Sequence, residues 1–289
     1  DYDLIAGNSL GTLDYYENVD DGYHYYEGYD YFINAVYVQN LSIFSGIDVG
    51  AYSDPTFAYL SGDGYVDMIV GNSTGALIYF QNVTTPWASQ QALSITVSGY
   101  AAPYLADFDG DSDYDLFIGS IDGKVNYSMN DPACGAFPDT FCPLTPVQIG
   151  GVDIDVGDYS NPAAGDFFDD DGAIDLVVGA KDGKLDYFRN DTIAWTDVTS
   201  MPSLYSTTID VGDYSSPALL DLDSNLVLDM VIGSSVGYVY YRENIGTAAE
   251  PGWLVWSNPT TGFDYLNMND YYEVDSQVKM KYRSLTSRL

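Results

Sequence analysis

The chain has 289 residues, 46% of them hydrophobic, with 43 acidic against nine basic side chains and a formal net charge of −34. That apolar content suffices for a packed core and excludes a disordered acidic tail, while the charge repels nucleic-acid phosphates and anionic lipid and favours divalent cations. No apolar run reaches the roughly eighteen residues of a membrane span, so no membrane insertion is expected; Asp1, in place of a start methionine or apolar signal segment, suggests a chain processed or incomplete at its start.

Taken in chain order, one frame is written five times: an Asp, a Gly four residues on, a second Gly four further, and an Asn seven beyond that. The members are Asp3, Gly7, Gly11, Asn18; Asp67, Gly71, Gly75, Asn82; Asp115, Gly119, Gly123, Asn130; Asp175, Gly179, Gly183, Asn190; and Asp229, Gly233, Gly237, Asn244. A stretch such as DMIVGNSTGALIYFQN reads as a β-branched strand, a glycine-bounded turn and a second strand, so each frame predicts a β-hairpin. Ahead of four frames stands a second phrase, DVGAYSDP, TVSGYAAP, DVGDYSNP and DVGDYSSP, in which Tyr52, Tyr100, Tyr159 and Tyr214 each precede a Pro by three residues. Pro at the start of a strand does least harm through its missing N–H.

The frame aspartates are 64, 48, 60 and 54 residues apart, so a constant unit alternates with variable loops. Repeats of this length suit a four-stranded blade, which must stack against its neighbours to bury both faces. The expected fold is therefore all-β: a single β-propeller over residues 1–289, five blades of four-stranded antiparallel sheet, with frames near 1–18, 55–82, 103–130, 162–190 and 217–244. A β-sandwich or an open solenoid of hairpins is the competing reading. A closing tail over 262–289 is expected to supply the half-blade missing at the N-terminus, since Tyr271 lies 57 residues after Tyr214.

Between each Pro and its frame Asp lies an acidic loop. In ADFDGDSDYDL, Asp107, Asp109, Asp111, Asp113 and Asp115 alternate; carboxylates at positions 1, 3 and 5, a carbonyl at 7 and an acidic closing ligand are what a hard cation needs. Asp107, Asp109, Asp111 and Asp115 are the expected side-chain ligands and Asp113 the carbonyl donor. The fifth copy offers Asp221, Asp223, Asn225 and Asp229. The fourth offers Asp169, Asp171 and Asp175, with Asp166 displaced by one inserted residue. The second copy has Tyr59 and Ser61 in place of the first two acids and keeps only Asp63 and Asp67, so weak or absent binding is expected. The first retains Asp1 and Asp3, and its positions carried by the tail, Val278, Met280 and Tyr282, cannot help a cation.

These loops, with the runs DLFIG, DLVVG and DMVIG behind them, resemble the FG-GAP/VCBS repeats of integrin α-subunit propellers and of some fungal and bacterial lectins. The resemblance implies structural Ca2+, clamping a loop between the outer strands of a blade, and binding on a face of the disc. The chain has five frames where the common form has seven blades.

Cys134 and Cys142, eight positions apart in a Pro-rich loop, suit a local disulfide more than free thiols or a zinc site. Sequons at Asn40, Asn72, Asn82, Asn126 and Asn190 favour secretion with glycosylation, although Asn82 and Asn190 also belong to the frame. The single histidine, His24, leaves no Ser/His/Asp or Cys/His set, and most carboxylates are committed to loops, so no enzyme is expected; a glycoside hydrolase or lyase is the weak alternative. Tyrosine is abundant, with 28 residues, and the segment Tyr23 to Phe32 is too aromatic for a plain loop. The expected function is a secreted, calcium-stabilised, non-catalytic binding or assembly module. It would take a protein or glycan partner on a propeller face as a lectin does, or self-associate through Tyr-rich loops and the basic tail (Lys279, Lys281, Arg283, Arg288) as the protomer of an extracellular fibril.

Overall fold

A computed structural model of the chain describes residues 3–18, 37–40, 42–82, 86–167, 171–191, 194–198, 209–221, 226–235, 237–242, 244, 265–267 and 276–279. All regular structure in these residues is β. The chain begins with β1 (Leu4–Asn8), β2 (Leu13–Asn18) and β3 (Tyr37–Gln39). It continues with β4 (Asp54–Ala58), β5 (Asp67–Gly71), β6 (Ala76–Asn82) and β7 (Pro86–Thr96), then β8 (Ala102–Ala106), β9 (Asp115–Gly119), β10 (Val125–Ser128) and β11 (Thr145–Pro146). A short hairpin of β12 (Gln148–Ile149) and β13 (Val152–Asp153) precedes β14 (Asn161–Gly165), β15 (Asp175–Gly179), β16 (Leu185–Asn190) and β17 (Trp195–Asp197). The last strands are β18 (Ser216–Leu220), β19 (Asp229–Gly233), β20 (Tyr238–Arg242), β21 (Tyr265–Asn267) and β22 (Ser276–Lys279).

Four antiparallel sheets are each made of four consecutive strands, β4 to β7, β8 to β11, β14 to β17 and β18 to β21. Another takes β1, β2 and β3 from the N-terminal end and β22 from the C-terminal end, in the order β22-β1-β2-β3. The strands β4, β8, β14, β18 and β22 touch in series, and β22 returns to β4, so the sheets stand in a ring. This is a β-propeller, and the alternating frame and loop is its blade.

The frame aspartate opens the second strand in four blades and immediately precedes it in the first, and the run that follows is buried throughout in β5, β9, β15 and β19. Strands covered on both faces by neighbouring blades read as continuous apolar runs, whereas the third strands β6 and β16 mix buried and half-exposed positions. The core is thus a set of clusters between blades. Phe44, Phe57, Phe80 and Trp87 form one between the first two blades, and Phe117, Val178, Tyr187 and Ile232 belong to another that runs through three. Each Pro of the second phrase is the second residue of its innermost strand, as in Pro55 opposite Val70 and Pro162 opposite Val178.

The two glycines of the frame are explained by backbone meeting backbone across blades. A Cβ on Gly7, Gly71, Gly119 or Gly179 would lie 1.8, 2.0, 2.0 or 2.1 Å from the carbonyl oxygen of Ser53, Ala101, Ser160 or Ser215 in the next blade. At the second glycine the space is smaller still: a Cβ on Gly11, Gly123 or Gly183 would fall 1.2, 1.4 or 1.2 Å from the carbonyl oxygen of Gly50, Gly157 or Gly212. The approach is closed by a repeating set of hydrogen bonds. Val49, Val156 and Val211 donate their N–H to the carbonyls of Gly11, Gly123 and Gly183 at 3.0 Å. The hydroxyls of Ser53, Ser160 and Ser215 donate to the carbonyls of Thr12, Lys124 and Lys184 at 2.6 Å.

The tail closes the first blade in a different register from the one its spacing predicts. β22 pairs with β1 with Val278 opposite Ala6, so Val278 takes the place that Pro55, Pro103, Pro162 and Pro217 hold elsewhere, four positions later than counting from Tyr271 gives. Tyr282, not Val278, then falls at the first loop position; it lies outside the described residues, as do Tyr271, Met280, Asp1, His24 and the segment 23–32. The spacing argument failed because tyrosine before a strand is common in this chain, whereas pairing register is set by main-chain hydrogen bonds.

Because no side chain fits between the blades there, Gly179→Ala is expected to destabilise the fold by about 1–3 kcal/mol, the usual cost of overpacking a core. Chemical denaturation monitored by tryptophan fluorescence measures it, and an unchanged midpoint would refute the close approach.

Candidate functional site

The acidic loops hang from the frame aspartate. Asp67, Asp115, Asp175 and Asp229 are buried, and in each the Oδ1 atom accepts the backbone N–H of the frame Asn fifteen residues on, at 2.9, 2.8, 2.9 and 2.8 Å. The Oδ2 atoms of Asp67, Asp115 and Asp175 accept an N–H from the start of their own loops, Ser61 at 2.8 Å, Phe108 at 2.8 Å and Phe167 at 3.3 Å. One carboxylate therefore ties the end of the third strand to the entry of the loop.

In the third loop the carboxylates of Asp107, Asp109 and Asp115 each place an oxygen within 4.8 Å of the others, the one such acidic group among the described residues. Asp107 accepts the N–H of Gly110 at 2.8 Å and of Ser112 at 3.1 Å, which folds the loop around the cluster. Asp109 and Asp111 each accept the N–H two residues on, from Asp111 at 3.2 Å and Asp113 at 3.0 Å, and of the expected side-chain ligands the structure gathers Asp107, Asp109 and Asp115 but not Asp111. Asp113 is pushed up to about 6, by burial first and then by the charges of Asp111, Asp115, Asp109 and Asp107. Burial raises Asp115 too, against the backbone donors of Asn130 and Phe108. Crowded carboxylates that repel one another, already oriented by main-chain donors, are what a hard oxygen-seeking cation fits.

The same loop bend recurs. Ser112, Gly172 and Leu226 stand at φ 79°, 84° and 69°, and each donates its N–H to the first acid of its loop: Asp107 at 3.1 Å, Asp166 at 2.9 Å and Asp221 at 3.0 Å. The residue inserted after Asp166 lengthens that span by one, and the carboxylate still reaches its donor. Leu226 is bulky, 89% exposed and left-handed, a conformation that the carboxylate of Asp221 helps to hold. Asp171 accepts the N–H of Ala173 at 2.8 Å; Asp169, Asp223 and Asn225 lie outside the described residues. The second loop keeps the bend at Gly64, φ 85°, without an acid at Tyr59, and Asp63 is engaged by the N–H of Tyr65 at 2.9 Å and Gln81 at 3.3 Å. These loops join the innermost strand to the second, as between β8 and β9, not the outer strands as the resemblance implied.

Cys134 and Cys142 are joined in a disulfide, and their loop reaches back over the preceding blade: Ser94 donates its N–H and hydroxyl to Asp139 at 2.9 Å, and Phe137 meets Tyr79 edge-on at 5.2 Å. Of the sequons, Asn72 is buried, its amide donating to the Val49 carbonyl at 2.8 Å and accepting from Thr74 and Ala76, so its role in the fold is structural. Asn40 sits in an exposed turn, accepting from Ser42; Asn82 and Asn190 end the strands β6 and β16; Asn126 is half-buried within β10.

A second feature is built from the tyrosines that recur three residues before each Pro of the second phrase, a spacing that marked them in the sequence without showing that they meet. Tyr52, Tyr100, Tyr159 and Tyr214 all adopt left-handed backbone, φ 58°, 49°, 60° and 57°, at a cost of about 1–2 kcal/mol each. Their rings meet in series across successive blades, with centroids 5.0, 4.7 and 5.1 Å apart, as a partial collar. Each backbone N–H donates to the previous blade, Tyr52 to Ser9, Tyr100 to Ser73, Tyr159 to Ile121 and Tyr214 to Lys181. Exposed Asp158 and Asp213 precede two of the rings, and the Lys181 ammonium stands 5.5 Å over the ring of Tyr159. Tyr159 is pushed up to about 12, by burial and then by Tyr100.

The fold and the loops define a class, a repeat propeller with acidic loops on its inner strands. Within it, a family model for the FG-GAP-like repeat matches residues 60–118, from the second loop through β5, β6, β7 and β8 to the third loop and β9. No curated protein matches the chain.

Two outcomes test the third loop. Asp113 has a raised folded value, so its contribution is full below the unfolded value near 4 and is lost as pH rises through about 6; calcium-free protein should lose melting temperature over that window, and Asp113→Asn should flatten the slope. Calcium titration should show Asp109→Ala weakening binding at least tenfold and Asp111→Ala much less, since only Asp109 belongs to the gathered group. Equal losses would show that the loop rearranges on binding.

Proposed function

We propose that the protein is a secreted, calcium-stabilised propeller that serves as a non-catalytic binding or assembly module. The observation that carries this is the gathered group of Asp107, Asp109 and Asp115, fixed by main-chain donors within a blade and electrostatically frustrated when bare. Ca2+ there would neutralise part of the net charge of −34 and lock β8 to β9. The match to the FG-GAP-like repeat over residues 60–118 and the disulfide support an extracellular setting, where thiols oxidise and calcium is plentiful. A catalytic role has little to stand on, because the chain has one histidine and its loop carboxylates are engaged by main-chain donors.

The binding face in this reading is the end of the ring that carries the tyrosine collar. Half-exposed phenol rings on rigid backbone give contact area at low entropic cost, suited to a glycan or a protein partner. A second reading rests on β22. The first blade is completed by a strand from the far end of the chain, and Lys279 in it begins the basic stretch with Lys281, Arg283 and Arg288, which could serve a neighbouring copy's acidic rim instead.

Thermal melting in Ca2+ and in EDTA tests the stabilising role, with a clear fall in midpoint expected on chelation; an unchanged midpoint would remove the calcium reading. Sedimentation of the same samples separates the two uses. A monomer that binds immobilised glycans or proteins only with calcium supports the binding module, and a particle that falls apart when residues 280–289 are deleted supports assembly.

A further inference from the structure

The tyrosine collar has a chemical property that is independent of what the face binds. Aromatic pairs in proteins pack with centroids about 4.5–7 Å apart, and Tyr100 and Tyr159 sit near the short end of that range at 4.7 Å, edge to face at 72°. Tyr52 at 5.0 Å and Tyr214 at 5.1 Å extend the series on either side, so the rings cross three successive blade boundaries. Left-handed backbone and the N–H bonds to Ser73 and Ile121 fix where each ring starts. All four rings are at least partly exposed, Tyr52 by 36%, so a one-electron oxidant in solution reaches them.

We propose that the collar is a site of oxidative cross-linking, in which Tyr100 and Tyr159 are joined by a carbon–carbon bond between ring positions ortho to their hydroxyls, with a haem peroxidase and hydrogen peroxide as oxidant. Each phenol gives up one electron and one proton. The two phenoxyl radicals pair their electrons in the new bond, and the hydrogen on each bonded carbon moves to its phenol oxygen, restoring both aromatic rings. Hydrogen peroxide takes the two electrons and two protons and leaves as two waters. The protein loses two hydrogens and gains a covalent tie between the blade of β8 to β11 and the blade of β14 to β17. A radical first formed on Tyr52 or Tyr214 reaches the same pair by hopping between the adjoining rings, so the product concentrates where the separation is shortest.

The experiment treats dilute, calcium-loaded protein with a haem peroxidase and hydrogen peroxide, and reads intact mass, the blue fluorescence of the coupled phenols, and peptide maps. The expected product is a monomer lighter by two hydrogens per cross-link, with the Tyr100 and Tyr159 peptides linked. Tyr159→Phe and Tyr100→Phe, which keep the ring and the fold, should reduce that linked peptide to background; Tyr214→Phe should leave it in place. Unfolding in urea before oxidation should scatter the links among other tyrosines. The proposal is overturned by links distributed in folded protein as they are in urea, by coupling only between molecules, by absence of the linked pair, or by an unchanged yield in Tyr159→Phe.

Discussion

Neighbouring blades touch main chain to main chain at the two frame glycines, and the remaining architecture follows from that contact. Carbonyls of Ser53, Ala101, Ser160 and Ser215 occupy the space where a Cβ would be, and the N–H groups beside them find acceptors in the previous blade. A contact made of backbone tolerates no side chain and no slip, because moving the strand by one residue would leave buried donors and acceptors without partners. The same contact fixes the phrase that precedes each innermost strand, including the tyrosine that follows its left-handed turn. The collar is therefore a by-product of blade docking, which is why its rings recur in the phrase before each of β4, β8, β14 and β18.

The frame aspartate couples that scaffold to the acidic loops. With one oxygen on the loop entry and the other on the end of the third strand, Asp115 is both a structural acceptor and one wall of the carboxylate group. The arrangement stores repulsion: burial and four neighbouring charges raise Asp113, and a cation would release what those groups lose by being close. The second loop shows the alternative. It keeps the bend and the frame Asp67 but gives Asp63 two hydrogen-bond donors in place of a metal-like neighbourhood, so a blade is built there without a gathered acidic group.

The disulfide closes its own loop, and that loop adds non-covalent contacts to one blade boundary. Its residues Phe137 and Asp139 lie across Tyr79 and Ser94 of the preceding blade, clasping the outer edge while the glycines hold the inner one. The long spacing of 60 residues between the third and fourth frames is the room this excursion takes, together with the hairpin of β12 and β13.

The propeller class was legible in the sequence because its determinants are local. Gly71 and Gly75 at fixed distance from Asp67, and the apolar runs after each frame Asp, record constraints that act within a single blade or its nearest neighbour. The alternation of acids likewise marked the third loop. The tertiary structure alone decided which acids converge: Asp107, Asp109 and Asp115 meet and Asp111 does not join them, because alternate spacing along a loop does not fix where each side chain points. It alone set β22 four positions from its expected register, since pairing is chosen by main-chain partners and not by the nearest tyrosine. The collar belongs to the same category, for Tyr52, Tyr100, Tyr159 and Tyr214 stand about fifty residues apart in sequence and become neighbours only when the ring of blades brings successive turns together.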